Sequence, residues 1–407
     1  MYITRHLEKT LTRAEKMFGA ILVAGSRQVG KTTLLRKAKA NLPYITLDDP
    51  IMLASAVSEP GTFFKASPPP LVLDEIQYAP QLFPHIKMIL DAQGQKGQFF
   101  LSGSQQYQMM QNVSESLVGR IGILNLYGLS LRECYGIDNY LPFAPTNDYL
   151  ESRKSCPISL DYAAAWAHIH RGSMPALAAD AAMDWQLFYA AYVRTYLERD
   201  VRDLAQVGDE IKFLRFMTAS AAMTGQLLNL SSLGRDAGVS QPTAERWLSI
   251  LRASNLVYLL QPYHNNVIKR AVKTPKLYFL DTGLAAYLTR WSTPEVLQHG
   301  AMAGAFFESF VISEILKSYA NNGVLDPPLY FYRDKEQSEI DLLIQRDQVL
   351  HPIEIKKSAD PRPADIKAFN ELNKITGVTR GPGGLICLYE RPVPLSGEDM
   401  VIPLTYI

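Results

Sequence analysis

Cysteine is scarce. Cys134, Cys156 and Cys387 are the three cysteines in 407 residues, far apart and with no CxxC pair, which excludes a disulfide framework and a cysteine-based zinc site. Charge of one sign is not in excess either. Lys and Arg total 41, Asp and Glu 40, and the net charge is +1. A strong global attraction to nucleic acid is therefore not implied, and any such binding must come from local patches. No apolar run reaches the roughly 18 residues of a membrane helix. Internal repeats and low-complexity segments are absent. The opening MYITRHLEKTLTRAEKMFGAILVAG is charged and amphipathic, unlike a signal peptide, so a cytoplasmic protein that needs no membrane is the simplest expectation. The composition, 47% hydrophobic and 20% charged, is that of soluble globular domains, and the length calls for two or three of them.

Residues 1–130 alternate short apolar runs with helical stretches. AILVAG (20–25), YITLD (44–48), PLVLDE (70–75), QFFLSGS (98–104) and IGILNLY (121–127) predict parallel strands buried on both faces, an α/β core. Residues 131–210 read as largely helical. Mixed α/β returns after 300, with a helix near 303–319 and strands near 329–333, 339–345, 350–356 and 384–389.

The strongest motif is GSRQVGKTT, covering Gly25, Ser26, Arg27, Gln28, Val29, Gly30, Lys31, Thr32 and Thr33. It matches G-x-x-x-x-G-K-[ST] between a strand and a helix, the context in which backbone N–H groups cradle phosphate. Lys31 would neutralise the β and γ phosphates, and Thr32 would place its hydroxyl on Mg²⁺. In LVLDEIQ, Asp74 ends an apolar strand and would help hold Mg²⁺, while Glu75 would polarise the attacking water. The next strand ends in LSGS, where Ser104, with Ser102 as its rival, is placed to contact the γ-phosphate or that water. ATP and Mg²⁺ are the expected cofactors.

The order GSRQVGKTTLL, LVLDEIQ, FFLSGS, LVGRIGILNLYGLSLRE, RGSMPAL, YVRTYLERDVRDL, PKLYFLDTGLAAYL and EIDLLI…IEIKKS resembles bacterial and archaeal AAA-type ATPases with a C-terminal domain of formerly unknown function. The resemblance implies an arginine finger at Arg120, acting on a neighbouring subunit's nucleotide and so requiring a homo-oligomer; an arginine capping a helix C-terminus is the alternative. It also places Pro175, in Gly172-Ser173-Met174-Pro175, near the adenine, with Ser173 where relatives carry a second glycine.

Residues 226–260 read as helix, GVS turn, helix, with Ser240 as N-cap and Pro242 in the first turn. Trp247, Leu248 and Leu251 share one face, leaving Gln241, Thr243 and Arg246 outward. Two strands follow, flanking YHNNVIKRAVKTPK with Lys269, Arg270, Lys273 and Lys276. This pattern predicts a winged helix whose cations contact DNA phosphates, or one that packs on protein instead.

In SEIDLLIQRDQVLHPIEIKKS (338–358) the two-residue period puts Asp341 opposite the Ile340–Leu342–Ile344 face, and Glu354 and Lys356 opposite Ile353 and Ile355. If the strands pair, Asp341, Glu354 and Lys356 converge. That set resembles the D…ExK core of PD-(D/E)xK nucleases, in which carboxylates hold Mg²⁺ and the lysine helps activate water. Glu308, from the helix near 303–319, is the expected additional metal ligand, and Glu314 its rival. Three readings stay open: a solvated hairpin, a nuclease-like fold that no longer cuts, and an active nuclease. The fold expected is thus α/β: a P-loop AAA-type ATPase core (1–130), a helical lid (131–210), a winged helix (211–290) and a PD-(D/E)xK nuclease-like domain (291–407). Two functions fit: an ATPase acting on DNA with a Mg²⁺-dependent nuclease-like domain, or a nucleotide-driven switch in signalling, defence or a toxin-like system whose C-terminal domain binds a protein partner.

Overall fold

The computed structural model describes residues 2–103, 117–196, 210–264, 274–334 and 336–407. β1 (Ala20–Ala24), β2 (Tyr44–Thr46), β3 (Leu71–Asp74), β4 (Phe99–Gly103) and β5 (Ile121–Asn125) form a parallel sheet in the order β2-β3-β4-β1-β5. All residues of β1, β3 and β4 are buried, which is why these strands read as unbroken apolar runs. The phosphate loop leaves the carboxyl end of β1 and enters the helix Lys31–Ala38.

Among the described residues of 131–196, five helices follow, from Leu131–Cys134 to Trp185–Tyr196. Ser130 and Glu133 close a capping box on the first, and Thr146 and Asp161 cap the next two. After the helix Glu210–Ala222 comes β6 (Gln226–Leu227), then the helices Leu230–Ala237 and Gln241–Ala253, then β7 (Val257–Pro262) and β8 (Lys276–Phe279). Gly238, at φ +70°, makes the turn between the two helices, and Ser240 caps the second. Trp247 packs edge-on against Phe213 and Phe216, so the predicted inward face is buried. Thr243, predicted outward, is half-exposed, and its hydroxyl is bonded to that of Ser240 at 2.9 Å. Lys269, Arg270 and Lys273 lie outside the described residues.

The C-terminal part contains β9 (Leu329–Arg333), β10 (Glu339–Arg346), β11 (Val349–Ile355), β12 (Thr379–Arg380), β13 (Gly384–Cys387), β14 (Val393–Ser396) and β15 (Asp399–Pro403). The predicted boundary at 290 is not a break in the sheet. β7 pairs in parallel with β9 through Gln261–Tyr330 and Pro262–Phe331. The result is one sheet in the order β14-β15-β13-β11-β10-β9-β7-β8-β6, with β12 on β11. Such a seam joins residues about 70 apart, and no local pattern announces it.

The helix Ala303–Ala320 is buried around most of its circumference and ties the parts together. At its end the Asn321 carbonyl accepts from Thr10 Oγ1 at 2.6 Å. Lys317 Nζ donates to the Leu129 carbonyl at 2.9 Å, and Ser318 Oγ accepts from Phe143 N at 3.0 Å. Glu314 accepts the Leu131 N–H at 2.7 Å and pairs with Lys317 at 2.7 Å, so it serves a helix start, not the C-terminal carboxylate cluster. No helix among the described residues is long and apolar enough to cross a membrane.

Candidate functional site

The phosphate loop owes its path to two glycines. A Cβ on Gly25 would stand 2.1 Å from the Leu126 carbonyl oxygen, so only glycine lets the loop pass β5. Gly30 has φ +94° and precedes the first helical residue. Lys31 is buried, and its ammonium donates to the carbonyls of Gly25 at 3.0 Å and Ser26 at 2.8 Å. Thr32 Oγ1 donates to Asp74 Oδ2 at 2.9 Å, and Tyr44 OH to the same oxygen at 2.6 Å. Burial and the Asp74 carboxylate push the Tyr44 phenol well up, so it remains a donor. Ser102 Oγ bonds Asp74 Oδ1, which makes Ser102 a strand-end serine in contact with this site; Ser104 lies outside the described residues.

Glu75 holds φ +56°, ψ +45°, a conformation uncommon for a residue with a side chain and concentrated at functional sites. This turns it off the end of β3 to line a cavity of about 650 Å³ with Arg27, Gln28, Lys31, Thr32 and Thr195. Gln77 Nε2 donates to Glu75 Oε2. Pro175 Cγ comes within 3.9 Å of where a Cβ on Gly30 would stand, so the Gly172–Pro175 element reaches the phosphate loop. Ser173, in the place of a glycine, uses its N–H and its hydroxyl on Asp281 Oδ2, both at 2.8 Å. Tyr189 OH and the Leu284 N–H occupy Asp281 Oδ1 at 2.6 and 2.7 Å. Asp281 thereby ties the Gly172–Pro175 element to the helix Thr282–Leu288.

Arg120 precedes β5, at the amino edge of the sheet, and pairs with Asp91 there. β1 and β5 are parallel, with Ala20 opposite Ile121, so the phosphate loop lies five strand residues away, about 16 Å. Arg120 cannot reach this chain's own nucleotide pocket.

Sequence reasoning missed Arg5. Its Nη1 donates to the Val29 carbonyl of the phosphate loop at 2.8 Å, its Nη2 to the Tyr127 carbonyl at 2.8 Å, and its Nε pairs with Glu133 at 3.1 Å. Nothing local in TRHLEK marks this arginine, because its partners lie 24, 122 and 128 residues away. Burial would raise the Glu133 carboxyl, but Arg5, His6 and the N–H groups of Ser130 and His6 hold it below its ordinary 4.5. A depressed carboxyl stabilises the fold in full above the unfolded value and loses that contribution as pH falls through the folded one. Melting temperatures of wild type and Glu133→Gln should therefore differ near neutral pH and converge as the pH is taken well below 4.5.

In the C-terminal domain, the register that pairs Leu342 with Ile353 sets Asp341 across from Glu354. Asp341 Oδ2 accepts the Ile355 N–H at 2.9 Å, and Lys356 Nζ pairs with Glu354 Oε1 at 2.6 Å. Glu308 joins them from its helix, but through a residue expected to face DNA. Lys276 is buried, with Nζ 2.6 Å from Glu339, 3.2 Å from Glu308 and 3.7 Å from Asp341. Lys276 is thus removed from the predicted phosphate-binding stretch. Burial would lower its ammonium, but Glu308, Asp341 and Glu339 hold it above its ordinary value. Burial, then Asp341, push the Glu308 carboxyl up to about 7 and that of Glu354 up to about 8. Glu308, Asp341 and Glu354 do not fit the divalent metal expected of them: among the described residues no three His, Cys, Asp or Glu side chains are arranged to hold a metal ion.

Residues 18–135 match the family described as AAA domain, and residues 163–295 and 303–407 match two domains of unknown function, DUF8612 and DUF4143. The uncharacterized proteins Rv2008c of Mycobacterium tuberculosis and Mb2031c of Mycobacterium bovis are each 30% identical to this chain over 356 residues, 86% of this chain and 73% of theirs. Among solved structures, the Walker-type ATPase PABY2304 of Pyrococcus abyssi is 14% identical with a TM-score of 0.46, covering 70% of this chain and 96% of its own. A single-substitution variant of RuvB from Thermotoga maritima is 17% identical with a TM-score of 0.28, covering 62% and 88%. The chain belongs, with the two mycobacterial proteins, to a family of P-loop ATPases that join an AAA domain to a C-terminal domain of unknown function.

Proposed function

We propose that this protein is an ATP-hydrolysing switch whose nucleotide state is passed from the phosphate loop to the lid and C-terminal sheet. The observation that carries it is the Thr32–Asp74 hydrogen bond beside Lys31 and Glu75 at the mouth of one cavity. A hydroxyl and a carboxylate adjoining a phosphate loop are the oxygen donors that suit Mg²⁺, which would neutralise charge on the β and γ phosphates. Lys31, now on its own loop's carbonyls, turns its donors to phosphate oxygens. Glu75 orients a water and accepts its proton, and Tyr44 and Ser102 fix the Asp74 carboxylate. The Pro175 element follows the nucleotide, and Asp281 relays its movement. Phosphate release by the purified chain tests this: ATP turnover that Lys31→Ala abolishes is expected, and no turnover under any Mg²⁺ condition would sink the reading. Arg120, partly exposed on the far edge of the sheet, is the group offered to a neighbouring subunit.

One observation favours DNA as what the switch acts on. The helix Gln241–Ala253 exposes Gln241, Glu245, Arg246, Ser249 and Arg252 on the face away from its core contacts. Duplex DNA should then stimulate turnover, and binding should weaken with salt. Arg246→Ala and Arg252→Ala should each reduce the salt slope by about one. Turnover and DNA binding that ignore both substitutions would favour a protein partner instead.

A further inference from the structure

Lys276 stands in the middle of the C-terminal carboxylate cluster. It opens β8 and is held in register by Leu260 of β7 on one side and Leu227 of β6 on the other. Its ammonium lies 5.6 Å from the centre of the Phe331 ring and turns towards Glu339, Glu308 and Asp341. An ammonium has three N–H donors, and three carboxylates surround this one. One oxygen of each carboxylate is already engaged. Glu308 Oε1 accepts from Lys276 and from Tyr278 OH, at 3.2 and 2.5 Å. Asp341 Oδ2 accepts from the Ile355 N–H, and Glu354 Oε1 from Lys356. Glu354 Oε2, buried without a hydrogen-bond partner, is a single oxygen. A hard cation of the Mg²⁺ or Mn²⁺ class wants about six oxygens near 2.1 Å, a shell that cannot form around a site whose centre is an ammonium.

We propose that Lys276 is the resident cation of this site and excludes divalent metal, so that the D…ExK arrangement persists as a metal-free charge lock and this domain does not cleave phosphodiesters by metal chemistry. Lys276 carries the positive charge from β8 to the helix Ala303–Ala320 and to β10, where a nuclease would carry it on an ion. The inference is independent of the ATPase reading, since no residue of the phosphate site takes part.

The test is a titration of the nucleotide-free full chain with Mn²⁺ alone, followed by electron paramagnetic resonance of the free ion. The wild type should show no bound Mn²⁺ that Asp341→Asn removes. Lys276→Gln should gain one site per chain, and adding Asp341→Asn to it should abolish that site. A wild-type site lost in Asp341→Asn overturns the proposal, as does a folded Lys276→Gln that binds no Mn²⁺. If Lys276→Gln does not fold, the comparison of wild type with Asp341→Asn decides the matter alone.

Discussion

Replacing Glu75 with Gln should lower ATP turnover by about 10²–10⁴-fold, the range that positioned acid–base groups contribute, while nucleotide affinity stays near that of the wild type. Glutamine matches glutamate in size and keeps an oxygen to accept from Gln77. The left-handed backbone at this position comes from the turn between β3 and residues 76–78, and the substitution does not alter it. What is lost is the charge that takes a proton from water. Lys31, Thr32 and the loop N–H groups, which bind phosphate, are untouched. Phosphate release and equilibrium binding of a fluorescent ATP analogue, measured on the same preparation, separate the two effects. Turnover within a few-fold of wild type would remove Glu75 from water activation.

Arg5→Ala should destabilise the chain by about 3–5 kcal/mol in urea unfolding, because it leaves the buried Glu133 carboxylate without its cation. Both side chains are almost wholly enclosed, at 4% and 1% exposure, so water cannot replace the lost partner. The same substitution strips a donor from the Val29 carbonyl inside the phosphate loop. ATP affinity should therefore fall along with stability. Arg5→Lys should recover little of either, since an ammonium cannot reproduce a planar fork that reaches Glu133, Val29 and Tyr127 together. Full recovery by lysine would show that charge alone matters at this position.

What the sequence disclosed follows from the range of the interactions involved. β1, β3 and β4 of the nucleotide core were legible because both of their faces are buried and apolar, whereas β2, expected to be buried on both faces, is half-exposed at every residue and β5 at two. The phosphate loop was legible because two glycines and a lysine must stand at fixed offsets. Asp341, Glu354 and Lys356 were legible as a group because the two-residue period of paired strands orders them. Arg5 was not legible, since partners 24, 122 and 128 residues away leave no mark beside it. Lys276 was misread for a related reason. Among Lys269, Arg270 and Lys273 it looked like one more solvated cation, and only Glu308, Glu339 and Asp341 draw it inward. Glu314 looked like a rival metal ligand until the Leu131 N–H claimed it.

The pairing of β7 with β9 bears on inheritance. It is two residues long, yet separating the parts on either side of it would leave two open strand edges, each a template for pairing with another chain. The cut would also break the bonds from Arg132 to the carbonyls of Thr405 and Ile407 and from Thr10 to Asn321. Recombination that exchanged the last hundred residues between relatives would have to bring matching surfaces on the first hundred.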